Sequence, residues 1–263
     1  MTTDEEKLNE LTPVQLMSHY DKQIWVKRDD LFEVAGCFGG KARTCFALSR
    51  GAKGLVTAGS RKSPQVNLVA HMGKYFGVPA VGVTPHGAIT PEIQDAINCG
   101  MEHVPKAFPC FTPTLTITAK KIAEERGFTY IPFGMECEEA VKQTAKQVQN
   151  IPPEVKRIVM PVGSAMSLAG VLTGLREYGI KKEVLGVCVG ANPYARLQKY
   201  APYDWKSYCK LVFSEYEYDY EMKAKVGGVT LDPIYEAKCA PYLEEDDMLW
   251  IVGCRNTVKN GGV

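Results

Sequence analysis

Strand-like apolar runs alternate with helix-like stretches along most of this chain. The strand-like runs fall at 53–58, 79–84, 130–133, 157–162, 184–189, 210–214 and 248–253. The helix-like stretches fall at 63–76, 91–98, 114–126, 137–149, 165–178 and 192–200, with Gly127 as a stop after the third. Alternation of this kind predicts an α/β protein with mainly parallel strands. Pro152-Pro153 breaks the pattern and suggests a lobe boundary. There is no internal repeat and no low-complexity segment.

Length and composition narrow the picture. A chain of 263 residues can bury a large core, as one big domain or two lobes. Charge is nearly balanced, at a formal +1, and no block of like charge marks a nucleic-acid tail or a membrane-surface helix. No apolar run reaches the length of a membrane span, and the acidic, polar first ten residues do not read as a signal peptide. Nine cysteines, with no Cys-x-x-Cys pair and several inside apolar runs, predict free thiols in a reducing, cytoplasmic setting. His19, His71, His86 and His103 are scattered, so no metal site is expected.

The stretch around which the rest is organised is Gly36-Cys37-Phe38-Gly39-Gly40-Lys41-Ala42-Arg43. A strand running into a turn precedes it at 24–31, and a helix start follows at 42–50. Paired glycines let the backbone approach a flat ligand, and a lysine there is a phosphate ligand or an amine nucleophile. The Walker A loop is excluded, because Ala35 and Ala42 stand where glycine and Ser/Thr are required. On the octapeptide alone a solvated loop lysine is the plainer reading.

Three further stretches carry candidate chemistry. In Thr57-Ala58-Gly59-Ser60-Arg61-Lys62-Ser63-Pro64-Gln65, a strand ends and a helix begins. Ser60 and the helix-start amides suit an anion, or serve simply as a helix cap. In Pro161-Val162-Gly163-Ser164-Ala165-Met166-Ser167, small residues join a strand to a helix. That suits a phosphate, or is an ordinary turn; it is not a dinucleotide fingerprint. In Leu231-Asp232-Pro233-Ile234-Tyr235-Glu236-Ala237-Lys238, a phenol and a carboxylate follow a proline turn. They suit proton transfer and a protonated ring nitrogen, or a surface helix start. Tyr216-Glu217-Tyr218-Asp219-Tyr220 reads as a solvated edge or as a rim over a cleft.

Taken together, these stretches resemble the fold-type II pyridoxal-phosphate enzymes, and within them the family of 1-aminocyclopropane-1-carboxylate deaminase and D-cysteine desulfhydrase. The family's Lys-Arg-Asp-Asp-Leu and Gly-Gly-Asn-Lys-x-Arg runs are similar to 27–31 and 39–43. Its Ser-Asn-Gln helix start looks like Ser60-Arg61-Lys62, with Gln65 and Val66 also matching. Its phosphate loop looks like 164–170, and its Asp-Pro-Val-Tyr-Glu-Gly-Lys segment like 232–238. The likeness runs in order from about residue 11 to 254.

The resemblance implies a two-lobed fold like the tryptophan synthase beta chain, with the cofactor in the cleft. Residues 1–47 with 151–263 would form the large cofactor-binding lobe, and 48–150 the small one. It implies pyridoxal 5'-phosphate held as a Schiff base on Lys41, its phosphate on Gly163, Ser164, Ala165, Met166 and Ser167, and Glu236 facing the ring nitrogen. Arg61 takes the place of the asparagine that contacts the ring hydroxyl. Ser60, Arg61, Lys62, Gln65 and Tyr235 would meet the substrate, with Lys41, Ser60, Tyr235 and Glu236 the catalytic set.

The expected activity is that of a lyase or deaminase acting at the Cα of an amino acid, in a homodimer. One alternative is decarboxylation of an amino acid, including one carried on a nucleotide or DNA as in phage base modification. A second is a non-catalytic scaffold with the same fold.

Several positions depart from the family pattern. Gly40 replaces an asparagine, the phosphate loop has lost a glycine, and Arg255-Asn256 stand where two glycines are usual. The region before Asp232 is compressed, so only Tyr218 or Tyr220 is available as a second active-site tyrosine. These departures predict a retained cofactor apparatus and a rebuilt substrate side.

Overall fold

The computed structural model describes residues 3–107 and 112–253. The chain divides into two compact units, residues 3–32 with 138–253, and residues 33–107 with 112–137. These boundaries lie earlier than the 47/48 and 150/151 divisions read from the sequence. Lys41 thus belongs to the 33–137 unit.

The first unit is built on a six-stranded sheet. Its order is Val14–His19, Lys22–Arg28, Asp247–Ile251, Arg157–Val162, Glu183–Cys188 and Cys209–Phe213. The first pair is antiparallel and every other pairing is parallel. The last strand of the chain returns to the middle of the sheet, with Leu249 opposite both Val26 and Val159. Ile24, Val26, Val159, Val187, Leu249 and Ile251 form its buried core. The Met166–Glu177 helix crosses between two neighbouring parallel strands, as a parallel connection requires. Glycine lets the Glu138–Ala145 helix pack closely on it. A methyl group at Gly170 would collide with Thr144, and one at Gly174 with the Ala145 backbone.

The second unit has a parallel four-stranded sheet, in the order Glu102–Lys106, Ala80–Pro85, Leu55–Ala58, Thr129–Ile131. Val56, Ala58, Val81 and Val83 pack on Leu115, Ala119 and Ala123 of the Thr112–Arg126 helix. The Gly40–Ser49 and Pro64–Phe76 helices meet through Phe46, whose ring lies 5.3 Å from that of Phe76 and 5.8 Å from that of Tyr75.

Two strands escape the sequence pattern. Val14–His19 and Glu102–Lys106 are edge strands with mostly exposed or half-buried positions, and the second contains Pro105, so neither shows an apolar run. The predicted 137–149 helix is an α-helix at Glu138–Ala145 that tightens into a 3-10 segment, Lys146–Asn150. Cys37, Cys45, Cys99, Cys137, Cys188, Cys209 and Cys239 are free thiols; Cys110 and Cys254, like Arg255 and Asn256, lie outside the described residues. Among the described residues no helix is long and apolar enough to cross a membrane.

Candidate active site

In the 33–137 unit, the two ends of the glycine-rich octapeptide do different work. Glu33–Val34 and Cys37–Phe38 pair as a minimal hairpin whose two loop residues, Ala35 and Gly36, have φ of 54° and 71°. Two consecutive positive φ values identify the type I′ turn of a two-residue hairpin, so Gly36 serves the turn. Gly39, at φ 91°, caps the Gly40–Ser49 helix with its carbonyl accepting from the Ala42 amide at 3.0 Å. Lys41 therefore stands half-buried on the first turn of a helix, held between the hairpin and a buried helix body.

The Ser60 stretch differs from its expected arrangement. The helix runs Pro64–Phe76, and its cap is Ser63, whose Oγ accepts from the Gln65 amide at 3.3 Å. Ser60 is exposed in the turn before it, closed by the Ser63 amide donating to the Ser60 carbonyl at 3.0 Å. Gln65 is buried and its amide is occupied inside the protein. It donates to Thr57 Oγ1 at 2.8 Å and the Pro132 carbonyl at 2.7 Å, and accepts from the Gly134 amide at 2.7 Å. The side chain thus braces a strand end, a helix start and the 132–134 turn. Arg61 lies flat on Gly87, where an added methyl would sit 2.6 Å from the guanidinium carbon, and it donates to the Ala88 carbonyl at 3.0 Å. Thr90 Oγ1 donates to the Arg61 carbonyl at 2.5 Å. Lys62 is exposed.

In the other unit, the candidate residues gather at the carboxyl ends of three adjacent parallel strands, the usual place for ligand sites in open α/β sheets. Gly163 follows the Arg157–Val162 strand, Gly190 follows Glu183–Cys188, and Val252 follows Asp247–Ile251. The Met166–Glu177 helix starts from Ala165, which has φ 66° and supplies no side-chain cap to the first amides. Ser164 and Ser167 are half-buried on either side.

Asp232 shapes the segment carrying Tyr235 and Glu236. Its Oδ1 accepts from the Ile234 amide at 2.9 Å and the Tyr235 amide at 3.0 Å, and its carbonyl from the Ala237 amide at 3.0 Å. The turn is buried rather than a surface helix start, and leads into the 3-10 segment Glu236–Tyr242. Tyr235 lies on Gly163, where a methyl group would come within 2.9 Å of its ring. Glu236 is 2% exposed. Its Oε1 accepts from the Val252 amide at 3.0 Å, while Oε2 is buried with no hydrogen-bond partner among the described residues. Burial, and then the charge of Asp232, raise the Glu236 carboxyl above its ordinary value, against the pull of backbone amides.

Tyr218, one of the two tyrosines left open by the sequence, and Lys238 complete this group. Tyr218 shares a 2.8 Å hydrogen bond with the Tyr235 hydroxyl and packs over Gly190, where a methyl group would come within 3.3 Å of its ring. The loop is anchored by Lys238, 1% exposed, whose Nζ donates to the carbonyls of Glu217 at 2.7 Å and Tyr218 at 3.1 Å. Burial lowers the Lys238 ammonium from its ordinary value. Its sequence signal was the last place in the 232–238 segment that resembles the family.

Comparison with known proteins bears on the family and the fold. Residues 4–221 match the family model described as pyridoxal-phosphate dependent enzyme; the stretch includes Lys41 and 163–167 and ends before Tyr235. Over 207 residues the chain is 24% identical to an O-seryl-dTMP PLP-dependent decarboxylase of Salmonella phage ViI, which covers 65% of this chain. The chain spans about half the length of that relative, 48%. Among solved structures, an ACC deaminase homologue superposes with a TM-score of 0.74 at 21% identity, covering 93% of this chain and 89% of its own. Serine racemase from Dictyostelium discoideum gives 0.67 at 15%, covering 96% of each chain. With a family match across most of its length and the same fold in these structures, the chain belongs to the pyridoxal-phosphate dependent enzymes of fold type II.

Proposed function

We propose that this chain is a pyridoxal-phosphate-dependent lyase acting at the Cα of an amino-acid substrate, with Lys41 as its cofactor lysine. The observation that carries the reading is Glu236, a buried carboxyl with one oxygen on an amide and the other unpaired. A buried acceptor without a donor is costly, and a protonated ring nitrogen is the donor it lacks. The uncapped amides after Ala165, flanked by Ser164 and Ser167, suit a phosphate, because a helix start carries partial positive charge.

When bound, pyridoxal phosphate supplies a sink for the electron pair left at Cα. The side chains supply the rest. Lys41 would hold the cofactor and, once released, move a proton at Cα. Glu236 would keep a proton on the ring nitrogen. Gly163, Ser164, Ala165, Met166 and Ser167 would fix the phosphate. Tyr235 would pass a proton to or from the substrate, with Tyr218 as its hydrogen-bonded partner. Ser60 and Lys62, both exposed, would receive the substrate carboxylate. Cytoplasmic location and a homodimer belong to the same reading.

A second reading, decarboxylation of an amino acid borne on a nucleotide, is favoured by the likeness to the phage decarboxylase. One experiment separates the readings. The purified protein should absorb in the visible, and borohydride should fix the cofactor to wild type but not to Lys41→Ala. Free amino acids and seryl nucleotides are then assayed for ammonia, 2-oxo acid and carbon dioxide. Ammonia and 2-oxo acid from a free amino acid support the deaminase reading, and carbon dioxide from the nucleotide alone the second. A protein that takes up no cofactor overturns both and leaves the scaffold.

A further inference from the structure

Folding assembles a second cluster of donor atoms within the 33–137 unit, on residues the cofactor reading does not use. Asn67 and His71 stand one turn apart on the Pro64–Phe76 helix. Asp95 stands on the Pro91–Asn98 helix, and Cys99 caps that helix one turn later. A ring nitrogen of His71, a carboxylate oxygen of Asp95 and the sulfur of Cys99 all lie within 4.8 Å of one another, and all three residues are half-buried. His71 Nε2 is 2.8 Å from Asp95 Oδ2, and Asn67 Nδ2 donates to the same oxygen at 3.3 Å.

Asn67 supplies an independent observation. It is 2% exposed, and its Oδ1 is buried with no hydrogen-bond partner among the described residues. An unpaired buried carbonyl of this kind is destabilising. A half-turn of the amide exchanges its oxygen and nitrogen. It would bring Oδ1 to the place now held by Nδ2, beside the Asp95 carboxylate. In that orientation the amide oxygen and the Asp95 carboxylate would face one cation together.

We propose that His71, Asp95 and Cys99 bind a zinc-type divalent cation, with the turned Asn67 amide as the fourth donor. Imidazole, thiolate and carboxylate together select zinc over magnesium or calcium, which prefer oxygen alone. Zinc takes nitrogen and oxygen at about 2.0–2.2 Å and sulfur at about 2.3 Å, so tetrahedral donors stand roughly 3.3–3.8 Å apart. The present Asn67–Asp95 separation of 3.3 Å already fits. The His71–Asp95 contact must open by about half an ångström and the sulfur move in to reach the ion. Binding replaces the thiol proton, which leaves to solvent, by a sulfur–metal bond. The ion would clamp two helices through one turn-spaced pair from each. The sequence hid this set because His71 and Asp95 are 24 residues apart and Cys99 is in no Cys-x-x-Cys pair.

The test uses the full-length, cofactor-loaded protein with Co2+ as probe and Zn2+ as competitor. Wild type should give the long-wavelength bands of tetrahedral Co2+, beyond the cofactor's own absorption, together with a thiolate charge-transfer band. Zn2+ should abolish both. Cys99→Ser should lose the charge-transfer band, and His71→Ala and Asp95→Asn should each weaken binding at least tenfold. Zn2+ should raise the melting temperature of wild type and not of Asp95→Asn, as binding to the folded state requires. No charge-transfer band in wild type, or equal binding by wild type and the three variants, overturns the proposal. The cofactor's own uptake and borohydride fixation, read on the same samples, report separately on the function proposed above.

Discussion

Tyr218 and Tyr235 share a hydrogen bond of 2.8 Å between their hydroxyls, with ring centroids 5.9 Å apart and planes at 77°. Each ring rests on a glycine at the carboxyl end of one of two adjacent parallel strands, Gly190 and Gly163. The fold thus fixes the pair from below and the hydrogen bond fixes it from above. Tyr235→Phe should lower kcat more than Tyr218→Phe, because only the first removes the hydroxyl proposed to meet substrate. Tyr218→Phe should leave KM little changed. Equal losses of kcat in both variants would show that the hydroxyls only support packing.

Lys238 should control the same pair from behind. Its ammonium holds the carbonyls of Glu217 and Tyr218. Lys238→Met keeps the buried stem and removes both donors. It should free the loop, lowering kcat roughly tenfold, in line with about 1.5 kcal/mol for a charged hydrogen bond. Cofactor uptake should be preserved, and tyrosine fluorescence anisotropy should fall. Full activity in Lys238→Met would dismiss the positioning role.

Glu236 predicts two effects of opposite visibility. With cofactor bound, Glu236→Gln should retain the cofactor and lose roughly ten- to a hundredfold in turnover, the equivalent of about 1.5–3 kcal/mol. Without cofactor, the raised carboxyl makes the folded chain hold a proton that the unfolded chain has released. Stability contributed this way is full below the ordinary glutamate range and is lost as pH rises through the raised folded value. Denaturant unfolding of the cofactor-free protein should show that decline, and Glu236→Gln should flatten it. A wild-type curve rising with pH over that window would reverse the sign of the argument.

At the amino ends of the parallel strands, Arg157 grips Asp247 through two bonds of 3.1 and 2.6 Å, and also donates to the Tyr242 carbonyl at 3.0 Å. Asp247 is buried but Arg157 is partly exposed, so water would screen part of the loss. Asp247→Ala should cost about 1–3 kcal/mol of stability while leaving cofactor uptake intact. A loss below about half a kcal/mol, the usual range for surface changes, would place this pair among the weak ones.

The alternation of apolar runs was enough to read the parallel core, because strands such as Arg157–Val162 are buried on both faces and leave an unbroken apolar signature. The edge strands left none. Lys41 and the 163–167 loop were singled out only by the joint resemblance, since their local glycine and serine spacing reads equally as a solvated loop and an ordinary turn. Tyr218 and Tyr220 stayed equal candidates, since the place of Tyr218 depends on a long-range bond to Tyr235 and on Lys238, which no local pattern encodes. Gln65 and Arg61 show the converse. Both matched or replaced family positions, yet burial and loop packing give them partners within the protein. A motif names the residue, but only the fold decides which way its hydrogen bonds go.

Arg61 therefore carries the last prediction. Were it a substrate ligand, its replacement would weaken binding of any carboxylate, since arginine grips carboxylates in a bidentate way. In the structure its guanidinium instead covers Gly87 and donates to Ala88, while its carbonyl accepts from Thr90. Three residues of the 87–90 loop, Gly87, Ala88 and Thr90, thus contact one side chain and one carbonyl. Gly87, at φ 153°, has no side chain of its own to pack there. Arg61→Asn should speed hydrogen exchange at the amides of 86–90 and leave KM within about threefold, less than the 1.4 kcal/mol that a tenfold change represents. If KM rises tenfold or more while exchange at 86–90 stays at the wild-type rate, the loop role is wrong and the charge belongs to the substrate.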